Sequence, residues 1–170
     1  MRSRLDPLYN AAAYVAALLL VGTLVMILLG IFGRILDFQV RGSDAYAGYL
    51  MAGSGFLALA HTLRRGEHIR VTVITQMLKG RAHRAVELVA VVIGAVLSLL
   101  LAWFSIRLVW QSYTLHDISS GNDATPLWIP QIAMAVGCVV FAIAILDELL
   151  RVLAGGNIDV KTGDEPLHVE

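Results

Sequence analysis

Hydrophobic residues gather in four long stretches separated by short polar connections. The stretches cover about residues 8–32, 46–63, 86–110 and 127–146. A helix needs about 20 mostly apolar residues to cross the hydrocarbon of a bilayer. Only helices and closed barrels satisfy their backbone groups in that environment. We therefore predict an all-α integral membrane protein with four transmembrane helices.

The first stretch is interpreted as a retained helix and not as a cleaved signal peptide. Its apolar run is about 25 residues long, against roughly 7–15 residues in a signal sequence. The segments outside the four stretches are too short to build a second core. We predict one transmembrane domain over residues 1–154, followed by a cytoplasmic C-terminal tail over 155–170.

The connection between the second and third stretches combines basic and apolar residues. It reads HTLRRGEHIRVTVITQML over residues 61–78. Its apolar residues fall on one side of a helical wheel, which predicts a short amphipathic helix over about 68–79 in the membrane interface. A simpler interpretation attributes its charges to the positive-inside rule alone. The candidate lipid or partner contacts in this region are Arg64, Arg65, His68, Ile69, Arg70, Val73 and Met77.

Positive charges are distributed unequally between the two ends of the predicted helices. Ten of the 13 Lys and Arg residues lie in the N-terminal segment, in or beside the connector, and in the C-terminal region. The others are Arg34, Arg41 and Arg107. Because cytoplasmic flanks are enriched in Lys and Arg, we predict that both termini and the connector are cytoplasmic.

The composition supports a membrane protein and excludes two kinds of cysteine-based site. Of the 170 residues, 58% are hydrophobic, and the mean hydropathy is +0.73. Soluble domains contain only about 45–50% apolar residues. Basic and acidic residues number 13 each, and no nucleic-acid partner is expected. The single cysteine, Cys138, excludes an internal disulfide framework and a cysteine-rich zinc site.

The interiors of the four predicted helices contain no charged residue and no histidine. Such residues within a membrane usually mark a functional site, and haem would need axial histidines deep in facing helices. His61, His68 and His83 lie instead at the predicted cytoplasmic edge. The sequence also lacks a phosphate-binding loop and paired metal ligands. We expect a protein that is not an enzyme and that has no catalytic residue, cofactor or metal.

Small residues recur at helical spacing in three of the predicted helices. They form a candidate packing seam on the second helix and similar stripes on the third and fourth helices. These are Gly48, Ala52, Gly55 and Ala58; Gly94, Ser98, Ala102 and Ser105; and Ala133 and Gly137. Small stripes let helix backbones approach closely in a membrane. Two interpretations stay open: the stripes hold this chain together, or they form a seam for a larger membrane partner.

Two segments resemble a known family. The run RGSDAYAGYLMAGSGFLALAHTLRRGEHIRVTVITQML, over residues 41–78, contains an acidic residue before a Gly/Ala-rich helix, then Arg-Gly and His-Ile-x-Val. The later run TPLWIPQIAMAVGCVVF has a Pro-aromatic entry into the fourth helix. Both are similar to the small membrane subunit, the Q-type or DctQ-like subunit, of tripartite ATP-independent periplasmic (TRAP) transporters.

The resemblance implies a role in transport. In such systems a periplasmic substrate-binding protein captures an organic acid, often a carboxylate, and a large multi-span subunit moves it inward using a sodium gradient. The resemblance implies that the small subunit scaffolds the large one in a bacterial or archaeal inner membrane. The connector would then brace the complex against membrane lipids. The outer loops would face the binding protein, with Arg41, Asp44, Asp117 and Asp123 as candidate docking residues.

Two other classes of function remain as alternatives. One is a self-sufficient four-span homo-oligomer, such as a small channel or exporter. The other is a membrane anchor of a respiratory complex, which would require bound haem or quinone.

Overall fold

The computed structural model describes residues 6–38, 40–64, 81–121 and 123–154, with side chains except at 6, 64, 81–84 and 87. These residues form four helices, and the predicted all-helical fold is confirmed. The helices are α1 (Asp6–Ile35), α2 (Ser43–Arg64), α3 (Arg81–Thr114) and α4 (Trp128–Leu153). Within the described ranges, extended pairing is limited to one antiparallel bridge between Ile118 and Pro126.

Three of the helices are long and apolar enough to cross a membrane. Their qualifying segments are Pro7–Ile35, Leu88–Thr114 and Trp128–Leu153. Proline occurs only in their first turns, at Pro7 and Pro130, where a missing amide hydrogen does not interrupt the helix. Helix α2 has 22 residues, or about 33 Å of helix. It is less apolar because glycine, serine and threonine replace many of the large aliphatic residues.

The four helices lie side by side in the order α1, α2, α4, α3. Helix α2 packs between α1 and α4, whereas α3 packs, among the described helices, on α4 alone. Helices α1 and α2 are antiparallel, because Gly22 lies against Leu50 and Gly30 lies against Ser43. Helices α2 and α4 are parallel, because Gly53 lies against Ala133 and the α2 backbone at Phe56 lies against Gly137.

This arrangement places both short connections at the same end of the row. The connections are residues 36–42, between α1 and α2, and residues 115–127, between α3 and α4. We call this the loop end. The first residues of α1 and α3 and the last residues of α2 and α4 lie at the opposite end.

Two buried clusters hold the row together. The larger joins α1, α2 and α4 and contains Tyr9, Ala12, Ala16, Leu57, Ala60, Val140 and Ala144. The smaller centres on Ala102 of α3 with Cys138 and Ala142 of α4. Both clusters consist mainly of small side chains, so the helices associate by close backbone approach and not by the burial of large aliphatic groups.

The large apolar side chains point mostly away from the protein. Leu18 on α1 is 72% exposed, Leu97 on α3 is 60% exposed and Trp110 on α3 is 68% exposed. Continuous apolar surface of this kind is unfavourable in water. It is what a helix presents to the acyl chains of a bilayer.

Candidate interaction surfaces

The second connection at the loop end is folded into a short hairpin-like turn. The Ser119 amide donates to the Thr125 carbonyl at 2.9 Å, and the Leu127 amide donates to the Asp117 carbonyl at 3.0 Å. These bonds close the turn around Asp123. The turn therefore has a defined shape before any partner binds.

Side chains of α2 fasten this turn to the body of the protein. The Tyr49 hydroxyl lies 2.9 Å from Ser119 Oγ and 3.1 Å from Asp123 Oδ2. Ser119 Oγ donates to Asp123 Oδ1 at 2.8 Å. One turn earlier on α2, the Tyr46 hydroxyl accepts a hydrogen bond from Thr125 at 3.0 Å. We call the group Tyr46, Tyr49, Ser119, Asp123 and Thr125 the latch.

The ionised form of Asp123 is favoured by the latch. Desolvation raises the pKa of the Asp123 carboxyl, but hydrogen bonds from Ser119, Thr125, its own backbone and Tyr49 outweigh that effect. The pKa consequently lies below its ordinary value of 3.8. At neutral pH the latch is built around a carboxylate.

The first connection contacts the latch at a glycine. Gly42 has φ of +77°, and a Cβ there would lie 2.5 Å from Cβ of Asp123. Glycine is suited to this position both because it tolerates positive φ and because it leaves room for Asp123. The two connections therefore form one continuous surface.

A cavity of about 420 Å³ opens beside this contact. It is lined by residues at the end of α1, in the first connection and at the start of α2, and by Gly121 of the second connection. They include Gly30, Arg34, Phe38, Arg41, Gly42 and Asp44. The Arg34 guanidinium lies 3.7 Å from the Asp44 carboxylate, with both side chains more than four-fifths exposed. A pair this exposed contributes little to stability, so both groups stay accessible to a ligand or partner.

The four predicted docking residues are all at the loop end, but in different environments. Arg41 and Asp44 are exposed and line the cavity. Asp117 is partly buried, and its carbonyl closes the second turn. Asp123 is held inside the latch. Sequence reasoning missed Tyr46 and Tyr49, which appear in the sequence only as aromatic residues near a predicted helix end.

The predicted seam on α2 faces open space within this chain. A Cβ at Gly48 or at Gly55 would meet nothing within 4 Å. Ala52 is exposed, while Ala58 is partly buried and packs against the larger cluster. We call the exposed surface formed by Gly48, Met51, Ala52 and Gly55 the open face of α2.

Different small residues of α2 make its contacts with neighbouring helices. A Cβ at Gly53 would lie 3.1 Å from both Ala133 Cβ and Leu19 Cδ1. On the α4 side, a Cβ at Gly137 would lie 2.6 Å from the Phe56 carbonyl carbon. The predicted seam omits Gly53. The run AGSGF, residues 52–56, contains Gly53 as well as Ala52 and Gly55 of the predicted seam. Spacing alone does not show which of the two glycines packs against a neighbouring helix.

The predicted stripe on α3 is mostly buried against α4. Ser98, Ala102 and Ser105 are each less than 10% exposed. Ser105 Oγ donates to Leu101 O at 2.7 Å and lies 3.3 Å from Cys138 Sγ on α4. Gly94, the fourth member, differs from these three, because a Cβ added there would meet nothing within 4 Å.

The predicted interfacial segment is outside the described residues. Arg65, His68, Ile69, Arg70, Val73 and Met77 all fall in that part of the chain, as does the tail over 155–170. Arg64 is the last residue of α2, and its side chain is likewise not described. In the described ranges, no group of three or more His, Cys, Asp or Glu residues is arranged to hold a metal ion.

Comparison with known proteins identifies one family. The sequence model of the DctQ component of tripartite ATP-independent periplasmic transporters matches residues 23–155. The match begins within α1 and continues to the end of α4. No curated protein matches the chain.

Proposed function

The chain belongs to the DctQ family of TRAP transporter components, and from that premise we propose that it scaffolds the large transport subunit of such a system. The family comprises components of transporters, not enzymes. Together with the three long apolar helices, membership makes the chain a multi-pass membrane protein. The scaffolding role, the partners and the transported solute are the proposal.

The open face of α2 carries the scaffolding proposal. Both flanks of α2 are occupied, one by α1 and the other by α4. Its remaining exposed surface includes Gly48 and Gly55, where added Cβ atoms would meet no neighbour. Close packing between membrane helices depends on small residues that let backbones approach. A helix of the large subunit fits this surface.

We propose that α2 is the fourth membrane span and that the loop end is periplasmic. This topology places the connector, the termini and most Lys and Arg residues in the cytoplasm, as the positive-inside rule favours. The membrane is then the bacterial or archaeal inner membrane. The connector segment, about 68–79, serves in this proposal as an in-plane brace that contacts lipid or the large subunit.

We further propose that the loop end faces a periplasmic substrate-binding protein. Arg41 and Asp44 offer accessible charges beside the cavity, and the latch fixes the shape of the surface around them. Asp123 then acts through the shape of the second turn, and Asp117 contributes from the same turn. Charge reversal at Arg41 and Asp44 that leaves uptake unchanged would remove this docking assignment.

The transported solute is proposed to be an organic acid bearing a carboxylate, with uptake driven by sodium. This part rests on family membership, because the proposed binding sites for solute and sodium are in the other subunits. The small subunit would enlarge the fixed scaffold against which the transport domain of the large subunit moves.

Co-purification tests the scaffold directly. The tagged chain is expressed with its genomic neighbours, solubilised in mild detergent and analysed by mass spectrometry. We expect a stoichiometric large membrane protein to be recovered with wild-type chain. The double variant Gly48→Leu, Gly55→Leu should lose it while keeping its helical circular dichroism, because both side chains enter open space in the isolated chain.

Gly94→Leu is the matched control, since a Cβ at Gly94 also meets nothing within 4 Å but lies on α3. It should retain the large subunit. Recovery of the wild-type chain alone, as a stable homo-oligomer that conducts solute in liposomes, would overturn the scaffold proposal. The four helices would then themselves form a channel or exporter.

A further inference from the structure

One arginine lies in the outer part of the apolar segment of α3, near the loop end. Arg107 is the only charged residue of Leu88–Thr114. It precedes the end of the helix at Thr114 by about 10 Å along the axis. Its side chain is exposed, and it makes no ion pair with a carboxylate among the described residues. A cation at this depth is costly unless an anion or water reaches it.

A groove of about 440 Å³ runs along the helix beside Arg107. Its apolar wall is formed by Leu101, Phe104 and Leu108 on α3 with Met134 on α4. Ser105 also lines the groove, and Arg107 and Gln111 belong to its half nearer the loops. The inner part of the groove is mostly apolar, since the Ser105 hydroxyl there is bonded to the Leu101 carbonyl. The outer part combines Arg107 and Gln111 with Leu108.

Arg107 and Gln111 are one helical turn apart, so their side chains are neighbours on the helix surface. A guanidinium offers several fixed N–H donors and an amide offers two more. Together they suit an anion with several acceptor oxygens, such as a phosphate diester. Trp103 and Trp110, 66% and 68% exposed, lie one turn before and one turn after Arg107, and exposed tryptophans of membrane helices are enriched near headgroups.

We propose that this groove binds one glycerophospholipid of the leaflet at the loop end. Its phosphate accepts hydrogen bonds from Arg107 and Gln111, and one acyl chain lies along Leu101, Phe104, Leu108 and Met134. A mostly apolar inner part next to two polar side chains in the outer part favours an amphiphile. A free phosphate or a partner carboxylate would match the arginine but leave the apolar wall uncovered. The proposal concerns this chain alone and does not depend on the scaffold.

Native mass spectrometry of the full chain tests the site. The chain is purified in mild detergent and titrated with palmitoyl-oleoyl phosphatidylethanolamine. We expect one lipid to stay bound to the wild type, and Arg107→Gln to weaken binding by roughly tenfold or more, because a charge-assisted hydrogen bond is lost. Gln111→Leu should weaken it less. Arg34→Gln, at the exposed pair outside the groove, should leave it unchanged.

Two competition arms distinguish the sources of phosphate. Inorganic phosphate and glycerol phosphate should fail to displace the lipid, because neither covers the apolar wall. Displacement by either would overturn the lipid assignment in favour of a free-anion site. Equal lipid retention by wild type and Arg107→Gln would also overturn it. If Arg107→Gln loses its helical circular dichroism, Leu108→Trp, which fills the groove without removing charge, must lower lipid retention for the proposal to stand.

Discussion

Two helices of this protein carry similar stripes of small residues, but the structure uses them differently. On α3, Ser98, Ala102 and Ser105 are buried against α4. On α2, Gly48 and Gly55 face open space. A stripe of small residues therefore indicates that a helix can be approached closely, but not which helix approaches it. On α3 the approaching helix belongs to the chain, and on α2 we propose that it belongs to a partner.

The difference between the stripes follows from position in the row. Helix α3 is at the edge of the row and packs on α4 alone among the described helices. A single face of α3 therefore makes that contact. Helix α2 is internal and contacts α1 and α4 through other residues, among them Gly53 and Leu57. The open face of α2 is therefore not covered by either neighbouring helix. Five predictions test this comparison, in order of decreasing effect on the isolated chain.

The largest effect is expected where α2 and α4 meet. In Gly137→Ala the new methyl would lie 2.6 Å from the Phe56 carbonyl carbon. Because the clash is with backbone, the two helices must separate. We expect a loss of about 3 kcal/mol in the free energy of unfolding, the upper part of the overpacking range. Reversible unfolding in mixed micelles, followed by circular dichroism, measures it.

Gly94→Ala is the control for this change. It adds the same methyl group to α3, where nothing lies within 4 Å. Equal stability of the two variants would contradict the packing of α2 on α4 through Gly137.

A smaller loss is expected from the buried stripe of α3. Ala102 is 7% exposed and packs in the cluster with Cys138. Ala102→Leu should cost about 1–3 kcal/mol of unfolding free energy, because the added atoms force α3 and α4 apart. Ala90→Leu makes the same change at an exposed position on the same helix and should be near neutral. A destabilised Ala90→Leu with a stable Ala102→Leu would reverse the assignment of the two faces.

Much of this architecture is predictable from sequence because its signals are long. Apolar runs of about 20 residues predict membrane helices irrespective of neighbours, and the helices of the structure contain the central parts of all four predicted stretches. The match to the family covers residues 23–155, in agreement with the resemblance of the two quoted segments.

The packing register of α2 and the latch are not predictable in the same way. Gly53 and Gly55 are chemically identical, and only the neighbouring helices decide which one is buried. The latch joins Tyr49 to Asp123 across 74 positions of sequence, and it depends on α2 and α4 being parallel neighbours. The charge of Asp123 predicts a docking residue, and that prediction stays open; its hydrogen bonds to Tyr49 and Ser119 depend on the fold and are not visible in the sequence.

A local effect is expected at the latch. Tyr49→Phe removes the hydroxyl that contacts Ser119 and Asp123. Amide hydrogen exchange at Ser119 and Leu127 should become roughly three- to tenfold faster, since one net hydrogen bond is lost. Tyr113→Phe, which keeps the edge-on contact with Trp128, should leave that exchange unchanged. Unchanged exchange in Tyr49→Phe would remove the latch as a stabilising element.

The same exchange should depend on pH. The folded-state pKa of Asp123 is lowered from 3.8, so its contribution is complete above that value. The contribution is lost as the pH falls through the lower folded pKa. Exchange at Ser119, corrected for its intrinsic pH dependence, should rise only in that acidic range. Asp123→Asn should abolish the transition, and a transition near neutral pH would assign it to another group.

The smallest effect in the isolated chain is expected at the open face of α2. Gly48→Ala and Gly55→Ala add methyl groups where nothing lies within 4 Å, so the free energy of unfolding should change by less than about 0.5 kcal/mol. Gly53→Ala, in the same helix, should be destabilising because its methyl would lie 3.1 Å from Ala133 Cβ and Leu19 Cδ1.

The order of the variants should reverse in the complex with the large subunit, where the Gly48 and Gly55 variants should have the larger effect. If the open face receives a helix of the large subunit, even a methyl at Gly48 or Gly55 should weaken co-purification. If Gly48→Ala and Gly55→Ala change neither the free energy of unfolding nor co-purification, the large subunit binds elsewhere and the open face contacts only lipid.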